Sequence, residues 1–432
     1  MSSSNSSTKG SDYETRLTTL PNGIRVISET IPRVETLAFG AWVDVGARYE
    51  PAEVNGVAHL LEHMAFKGTA TRTARGIAEE IEAVGGSLNA YTSREQTAYY
   101  ARILAPDLPL ACDLVADILQ RSTVDGGELE KERQVVLQEI GQVRDTPDDL
   151  VFDLFQEAAY PDQPLGRPIL GPEEVVASMP RAALLDYMRR HYAPSRLVVA
   201  AAGKLEHERL VELADAAFRD LPAAAGNERP EPARYKGGEA LERDDELEQV
   251  HLCLGVESLG YADTDYFALQ VLTTALGGGM SSRLFQEARE NRGLCYSIGA
   301  SGSAYADGGL LIIDAGTAAA SVPELCRVIE AETAALVADP TEAEIARARA
   351  QLKAGLLMAL ESCHAVCEDL ARQLLCLGRR VPTAEVLAKV DAVDAAAVRR
   401  VGERLFRGRP TTRAAIGPLK KLPRLELGRV AG

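Results

Sequence analysis

One stretch of this chain cannot hold a regular element, and it divides everything else. Residues 221–238, LPAAAGNERPEPARYKGG, carry three prolines and three glycines among mixed charges. Proline removes a backbone donor and glycine leaves the backbone loose, so residues 222–238 read as an extended linker. Two halves remain, 14–221 with 208 residues and 239–432 with 194 residues. Their near equality suggests a duplication. The hydrophobic patterning agrees. The first half reads as strands at 24–31 and 36–46, helices at 54–66 and 74–84, a strand-rich segment at 87–104, helices at 107–120 and 127–158, a strand at 197–203 and a helix at 207–219. The second reads as a strand at 250–256, helices at 263–276 and 281–291, strands at 294–304 and 309–316, and helices at 321–337, 341–376 and 384–405. Strands then helices, twice over, predict an α+β fold: two similar domains, each a mostly antiparallel sheet with helices packed on one face.

Composition narrows the function. With 46% hydrophobic and 25% charged residues, the chain has the balance of a core-forming globular protein. Acidic residues outnumber basic ones by 63 to 47, a net charge of −16. Such a surface repels nucleic acid and suits basic ligands, although solubility alone would also account for it. The seven cysteines are an odd number scattered through apolar runs such as VHLCLGV, which predicts reduced thiols packed in cores. Cys363 and Cys367 fall on one helical face and are expected to pack rather than bind metal. The start, MSSSNSSTKGSDYE, has no apolar stretch and no Arg-rich face. It predicts a flexible tail over 1–13, no secretory signal and a poor transit peptide. Together these point to a bacterial-type cytoplasm before a mitochondrial matrix. No stretch of 18 apolar residues is present to span a membrane.

The chemistry concentrates at VAHLLEHMAF, residues 57–66. His59 and His63 stand four apart on an expected helix, so both imidazoles project from one face. Glu62 lies on nearly the same face, where a carboxylate can sit beside a metal's water without being a ligand. This is His-x-x-Glu-His, the inverse of the common zincin order. The alternative is two packed histidines and a solvated Glu. A hydrolytic zinc site needs a third protein ligand and a vacancy for water. GELEKERQVVLQEIGQVR, residues 127–144, offers Glu132 and Glu139, seven apart on one helical face. Val135, Val136, Leu137 and Ile140 surround Glu139 and suggest a buried carboxylate that a cation would relieve. A solvated charged stripe fits the same stretch.

His59-Leu-Leu-Glu62-His63, followed 76 residues later by Glu139 in ERQVVLQEI, resembles the insulinase/pitrilysin superfamily of zinc peptidases, in its processing-peptidase-like branch. LPNGIRV (20–26), GSLNAYTSREQTAYY (86–100), PLGRPILG (164–171) and SSRLFQEARENRGLCYSI (281–298) resemble it too. The likeness runs from about residue 14 to 420. It implies one Zn2+ per chain held by His59, His63 and Glu139, with Glu62 as general base and Glu132 supporting the site from behind. It implies that Arg289 holds substrate backbone and that Tyr296 stabilises the oxyanion. Alone, Arg289 would be a surface helix charge and Tyr296 a half-buried strand residue. The family adds peptide to a sheet edge, and SLNAYTS (87–93) resembles that edge, so Asn89 and Ala90 are expected beside the metal.

The resemblance further implies half of a clamshell and a metalloendopeptidase acting on peptides or unfolded, presequence-like segments; two domains with both residue sets in one chain point to a homodimer, and the net charge of −16 to basic peptides. A non-catalytic scaffold or partner subunit of the same fold is the alternative. Gly277, Gly278 and Gly279 lack the Gly-Lys-Ser/Thr of a phosphate loop and are expected to form a flexible loop.

Overall fold

The computed structural model of the protein describes residues 6–9, 14–223, 229–425 and 427. The chain forms two compact units. The first comprises Met1–Ile140, Pro168–Pro230 and Met358–Arg380; the second comprises Gly141–Arg167, Glu231–Leu357 and Val381–Gly432. The units are therefore not the two linear halves of the sequence.

The first unit is built on strands β1 (Ser6–Lys9), β2 (Glu14–Thr19), β3 (Arg25–Thr30), β4 (Thr36–Val43), β5 (Ser87–Thr92), β6 (Thr97–Leu104) and β7 (Leu197–Gly203), in the order β1-β2-β3-β7-β4-β6-β5. Only β3 and β7 pair in parallel. β4 and β7 are apolar almost throughout because both of their faces are covered. Val26, Phe39, Ala41, Tyr99 and Val199 meet the main helical layer on one face. Their alternates Ile27, Ala38, Trp42, Ala98, Val198 and Ala200 meet a single helix, Cys363–Leu377, on the other.

The second unit repeats the scheme with β8 (Gly238–Arg243), β9 (Val250–Ser258), β10 (Cys295–Ala304), β11 (Gly309–Thr317) and β12 (Thr411–Gly417), ordered β10-β11-β9-β12-β8. Leu252, Leu254, Val256, Leu311 and Ile313 face the main helical layer. Cys253, Leu310, Ile312, Ala414 and Ile416 face the lone helix Pro147–Ala159 through Val151, Phe155 and Ala159. Gly255 allows that approach, since a Cβ there would lie 2.8 Å from Phe155 Cζ.

The mostly antiparallel α+β expectation holds, with corrections. Each linear half lends one helix to the other half's sheet, so each sheet carries helices on both faces. The helix read over 127–158 is two, Gly126–Arg144 and Pro147–Ala159, because Pro147 drives Thr146 out of helical geometry. That read over 341–376 is also two, Glu342–Ala359 and Cys363–Leu377, the second restarted by the Ser362 side chain accepting from Ala365 N–H. Within the segment read as a flexible tail, residues 6–9 pair with β2 as an edge strand; the rest of 1–13 lies outside the described residues. Within the linker, residues 229–237 form no helix or strand, and 224–228 lie outside the described residues.

All seven cysteines are free, and five are buried. Cys367 lies wholly inside the second-face core, with Cys363 packed against it. Among the described residues, no helix is long and apolar enough to cross a membrane.

Leu370→Ala empties the middle of the second-face contact and should cost about 2–5 kcal/mol. Amide exchange should then quicken in β3, β4 and β7 while β9 and β11 stay protected. Equal quickening in both sheets would contradict assignment of this helix to the first unit.

Candidate metal centre

The helix Val57–Ala65 starts under tight control. Gly56 precedes it with φ +96°, and a Cβ there would lie 2.5 Å from Leu170 O. The buried carboxylate of Glu50 accepts from Gly56 N–H (2.7 Å), Ala58 N–H (2.8 Å) and Asn55 Nδ2 (2.7 Å). An acid at a helix N-terminus satisfies otherwise orphaned amides and complements the dipole. Val57, Leu60, Leu61 and Met64 bury one side of the helix. The other side carries His59 and His63, with ring centroids 4.7 Å apart and planes at 67°.

The helix Gly126–Arg144 brings the acids. The Asp125 side chain accepts from Gly127 and Glu128 N–H at its start, and Arg133 donates to Val176 O (2.6 Å) and Met179 O (2.9 Å). So anchored, the helix sets Glu139 Oε2 3.7 Å from His59 Nε2 and 3.6 Å from His63 Nε2. These distances are too long for hydrogen bonds. They suit ligands of one ion: tetrahedral donors about 2.0–2.1 Å from zinc stand about 3.4 Å apart. One donor atom from each of His59, His63 and Glu139 lies within 4.8 Å of the others. Two neutral imidazoles and a carboxylate are the donor chemistry zinc takes. Burial, with His63 beside it, lowers the His59 pKa to about 4, so that imidazole is free to coordinate near neutral pH.

Glu132 lies two turns before Glu139 and is the buried acid of the pair. Its Oε2 is 3.2 Å from His63 Nδ1, and its Oε1 is 2.7 Å from Lys67 Nζ. A carboxylate on Nδ1 holds that proton there and turns Nε2 toward the metal. Glu139 itself is 41% exposed, which corrects the expectation of a buried carboxylate. The cause is local: Val135 is exposed and Leu137 only half-buried, so Val136 and Ile140 alone bury that stretch in the core.

Glu62 is not among the converging donors. Its Oε2 accepts from Thr92 Oγ1 at 2.5 Å. Burial raises its pKa, the Thr92 hydrogen bond and His63 lower it, and Glu139 raises it. Thr92 ends β5, one of the two edge strands of the sheet, so the metal helix and that edge meet at Glu62. Asn89 and Ala90 belong to that strand; Asn89 is exposed and its Oδ1 accepts from Ala90 N–H at 2.8 Å.

The chain matches known proteins over most of its length. Residues 25–173 match Insulinase (Peptidase family M16), and residues 178–352 match the Peptidase M16 inactive domain. The human mitochondrial-processing peptidase subunit beta is 41% identical over 421 residues, covering 95% of this chain and 86% of the relative. The chain belongs to the insulinase family, peptidase family M16. An uncharacterized zinc protease of Streptomyces coelicolor is 39% identical, covering 94% of this chain and 90% of the relative. A protease from Helicobacter pylori shares the fold, with TM-score 0.84 at 22% identity over 94% of this chain and 99% of that one. A chain of Complex III2 from Candida albicans matches with TM-score 0.80 at 25% identity, covering 93% and 95%. This M16 chain is of the zinc metallopeptidase class.

In the second unit of the M16 chain, two local irregularities bring Arg289 and Tyr296 together. Arg289 sits in a π-helical stretch, Phe285–Asn291, and Tyr296 falls where the β10–β11 register slips between Cys295 and Ser297. Bulges of both kinds re-aim side chains. The Arg289 guanidinium carbon lies 4.6 Å from the Phe285 ring centroid and 5.2 Å from that of Tyr296. Tyr296 is 78% exposed, so its reading as a half-buried strand residue is corrected: the bulge turns it outward. The segment is anchored upstream by a two-pronged pair from Arg283 to Glu344 (2.7 and 2.9 Å), which pulls the Glu344 carboxyl down to about 2. Gly277–Gly279 lie at a helix end where the backbone packs closely. Gly277 ends the helix Tyr266–Gly277 against β10, where a Cβ would lie 2.5 Å from Ala300 N, and a Cβ on Gly279 would lie 2.9 Å from Gln351 Nε2.

Sequence reasoning alone missed Glu50, Lys67 and Thr92. Glu50 and Thr92 lie outside the five-residue motif and reveal themselves only once the strands and loops close around the helix.

Glu139→Gln should lower zinc affinity far more than Glu132→Gln, which is expected to cost about 10- to 100-fold. Chelator competition measures both. Normal affinity in Glu139→Gln with a collapse in Glu132→Gln would make Glu132 the ligand.

Proposed function

We propose that this chain is a zinc metalloendopeptidase of peptides and unfolded, presequence-like segments. The observation that carries the reading is the convergence of His59, His63 and Glu139 with Glu62 left out of the donor set. His59, His63 and Glu139 hold one Zn2+ per chain. When bound, the ion supplies Lewis acidity, making water more acidic near neutral pH and polarising a carbonyl. Glu62 takes the proton of the attacking water and passes it to the leaving amine nitrogen. Its half-buried carboxyl, raised in pKa, suits a group that must both accept and return a proton. Glu132 keeps His63 in the tautomer that presents Nε2.

Arg289 holds substrate backbone and the Tyr296 hydroxyl donates to the developing oxyanion, roles that rest on the family resemblance. Substrate pairs as an added strand with β5 at Asn89 and Ala90, which favours extended peptides and reads little of their sequence. The net charge of −16 favours basic ones.

The complete donor set with its base supports an enzyme over a non-catalytic scaffold of the same fold. We infer a homodimer, because both residue sets lie in one chain; the relative named as a subunit beta makes mixed assembly the competing outcome. The seven cysteines, free of disulfides, favour a reducing compartment such as a cytoplasm.

Glu62→Gln should retain one zinc per chain while peptide hydrolysis falls at least about 100-fold. Chelation of the unaltered protein should abolish hydrolysis, and added zinc should restore it. Turnover in Glu62→Gln at the normal rate would remove Glu62 from the proton transfers. Hydrolysis that survives complete metal removal would overturn the metallopeptidase reading.

A further inference from the structure

Glu62 has two carboxylate oxygens, and only one can face the reacting water in a given pose. The 2.5 Å hydrogen bond from Thr92 Oγ1 occupies Oε2. An ionised carboxylate offers only acceptors, so the threonine hydroxyl is the donor. Such charge-assisted bonds are short and strong. With one lone pair of Oε2 engaged, Oε1 is the less encumbered oxygen for taking a proton.

Thr92 is well built for the task. It is the last residue of β5, with Thr97 of β6 as its cross-strand partner, so its backbone is fixed by the sheet. A β-branched residue has one or two favoured χ1 rotamers, which fixes the hydroxyl in turn. Strand β5 is also one of the two edge strands of its sheet, and the one to which the proposed function adds a peptide strand. Any register of that peptide along β5 is thereby a register relative to Glu62.

We propose that Thr92 is a positioning residue that clamps Glu62 through Oε2, so that the substrate-bearing strand itself aims the base. This inference rests on the reading of Glu62 as general base. It assigns to Thr92 a role in turnover, not in holding metal or binding peptide.

The test uses Thr92→Val, Thr92→Ser and Glu62→Gln in the full-length chain. Valine keeps the shape and strand preference of threonine and removes the donor; serine keeps the donor. Thr92→Val should retain one zinc per chain with unchanged affinity by chelator competition, and an unchanged KM. Its kcat should fall about 10- to 100-fold, the cost of a misdirected group. Thr92→Ser should recover most of that loss. Crystals of the metal-free Thr92→Val protein should show the Glu62 carboxylate rotated away from, or spread about, its present position. Full kcat in Thr92→Val alongside an inactive Glu62→Gln would overturn the clamp while sparing the base. Active Glu62→Gln would instead overturn the reading beneath it. Equal losses in Thr92→Val and Thr92→Ser, or a loss appearing in zinc affinity or KM, would overturn the positioning role in favour of a structural one.

Discussion

Everything at the candidate centre depends on one carboxylate standing opposite two imidazoles that it cannot hydrogen-bond. Helical spacing supplies the imidazoles cheaply, since residues four apart share a face. The carboxylate is harder, because Glu139 must arrive from a separate helix to within a few tenths of an ångström. Two arginine hydrogen bonds to the carbonyls of Val176 and Met179 fix that helix, and the buried Glu50 fixes the start of the other. Glu132 then joins the two helices directly, reaching His63 and Lys67 at once. Buried acids therefore serve two ends here. Glu50 stiffens the scaffold and Glu132 orients a ligand, while the more exposed Glu139 is left open to the ion.

The second unit reaches its own exposed pair by different means. A slip in strand register turns Tyr296 outward, and a π-helical stretch sets Arg289 over its ring. Each irregularity gives up some regular hydrogen bonding for a side-chain direction that an ideal strand or helix would not give. The bidentate Arg283–Glu344 pair anchors the start of the same segment, so this direction does not depend on the exposed residues themselves.

Much of this was legible in the residues. The His-x-x-Glu-His spacing reports a helix face directly, and Glu132 and Glu139 report another by their two-turn interval. What the sequence hid was non-local. Nothing in CHAVCEDLARQLLCL tells which sheet its apolar face will cover, and it covers β3, β4 and β7, far upstream in the chain. The apolar run around Glu139 suggested burial because Val135 and Leu137 were counted as core, yet burial is decided by neighbours that one helix does not specify. Thr92 carried no signal, since a strand-end threonine acquires its partner only when β5 closes on the metal helix. The strands β2, β8 and β12 and the helix Arg181–His191 were also missed; short or mixed-polarity segments give weak periodicity.

The most direct test is X-ray absorption at the zinc edge of protein loaded with one equivalent of zinc. The account predicts a coordination shell of nitrogen and oxygen only, at about 2.0–2.1 Å, with the outer-shell scattering of two imidazoles. That imidazole scattering should fall by half in His63→Gln. A sulfur ligand at about 2.3 Å, or a shell with no imidazole scattering, would contradict it.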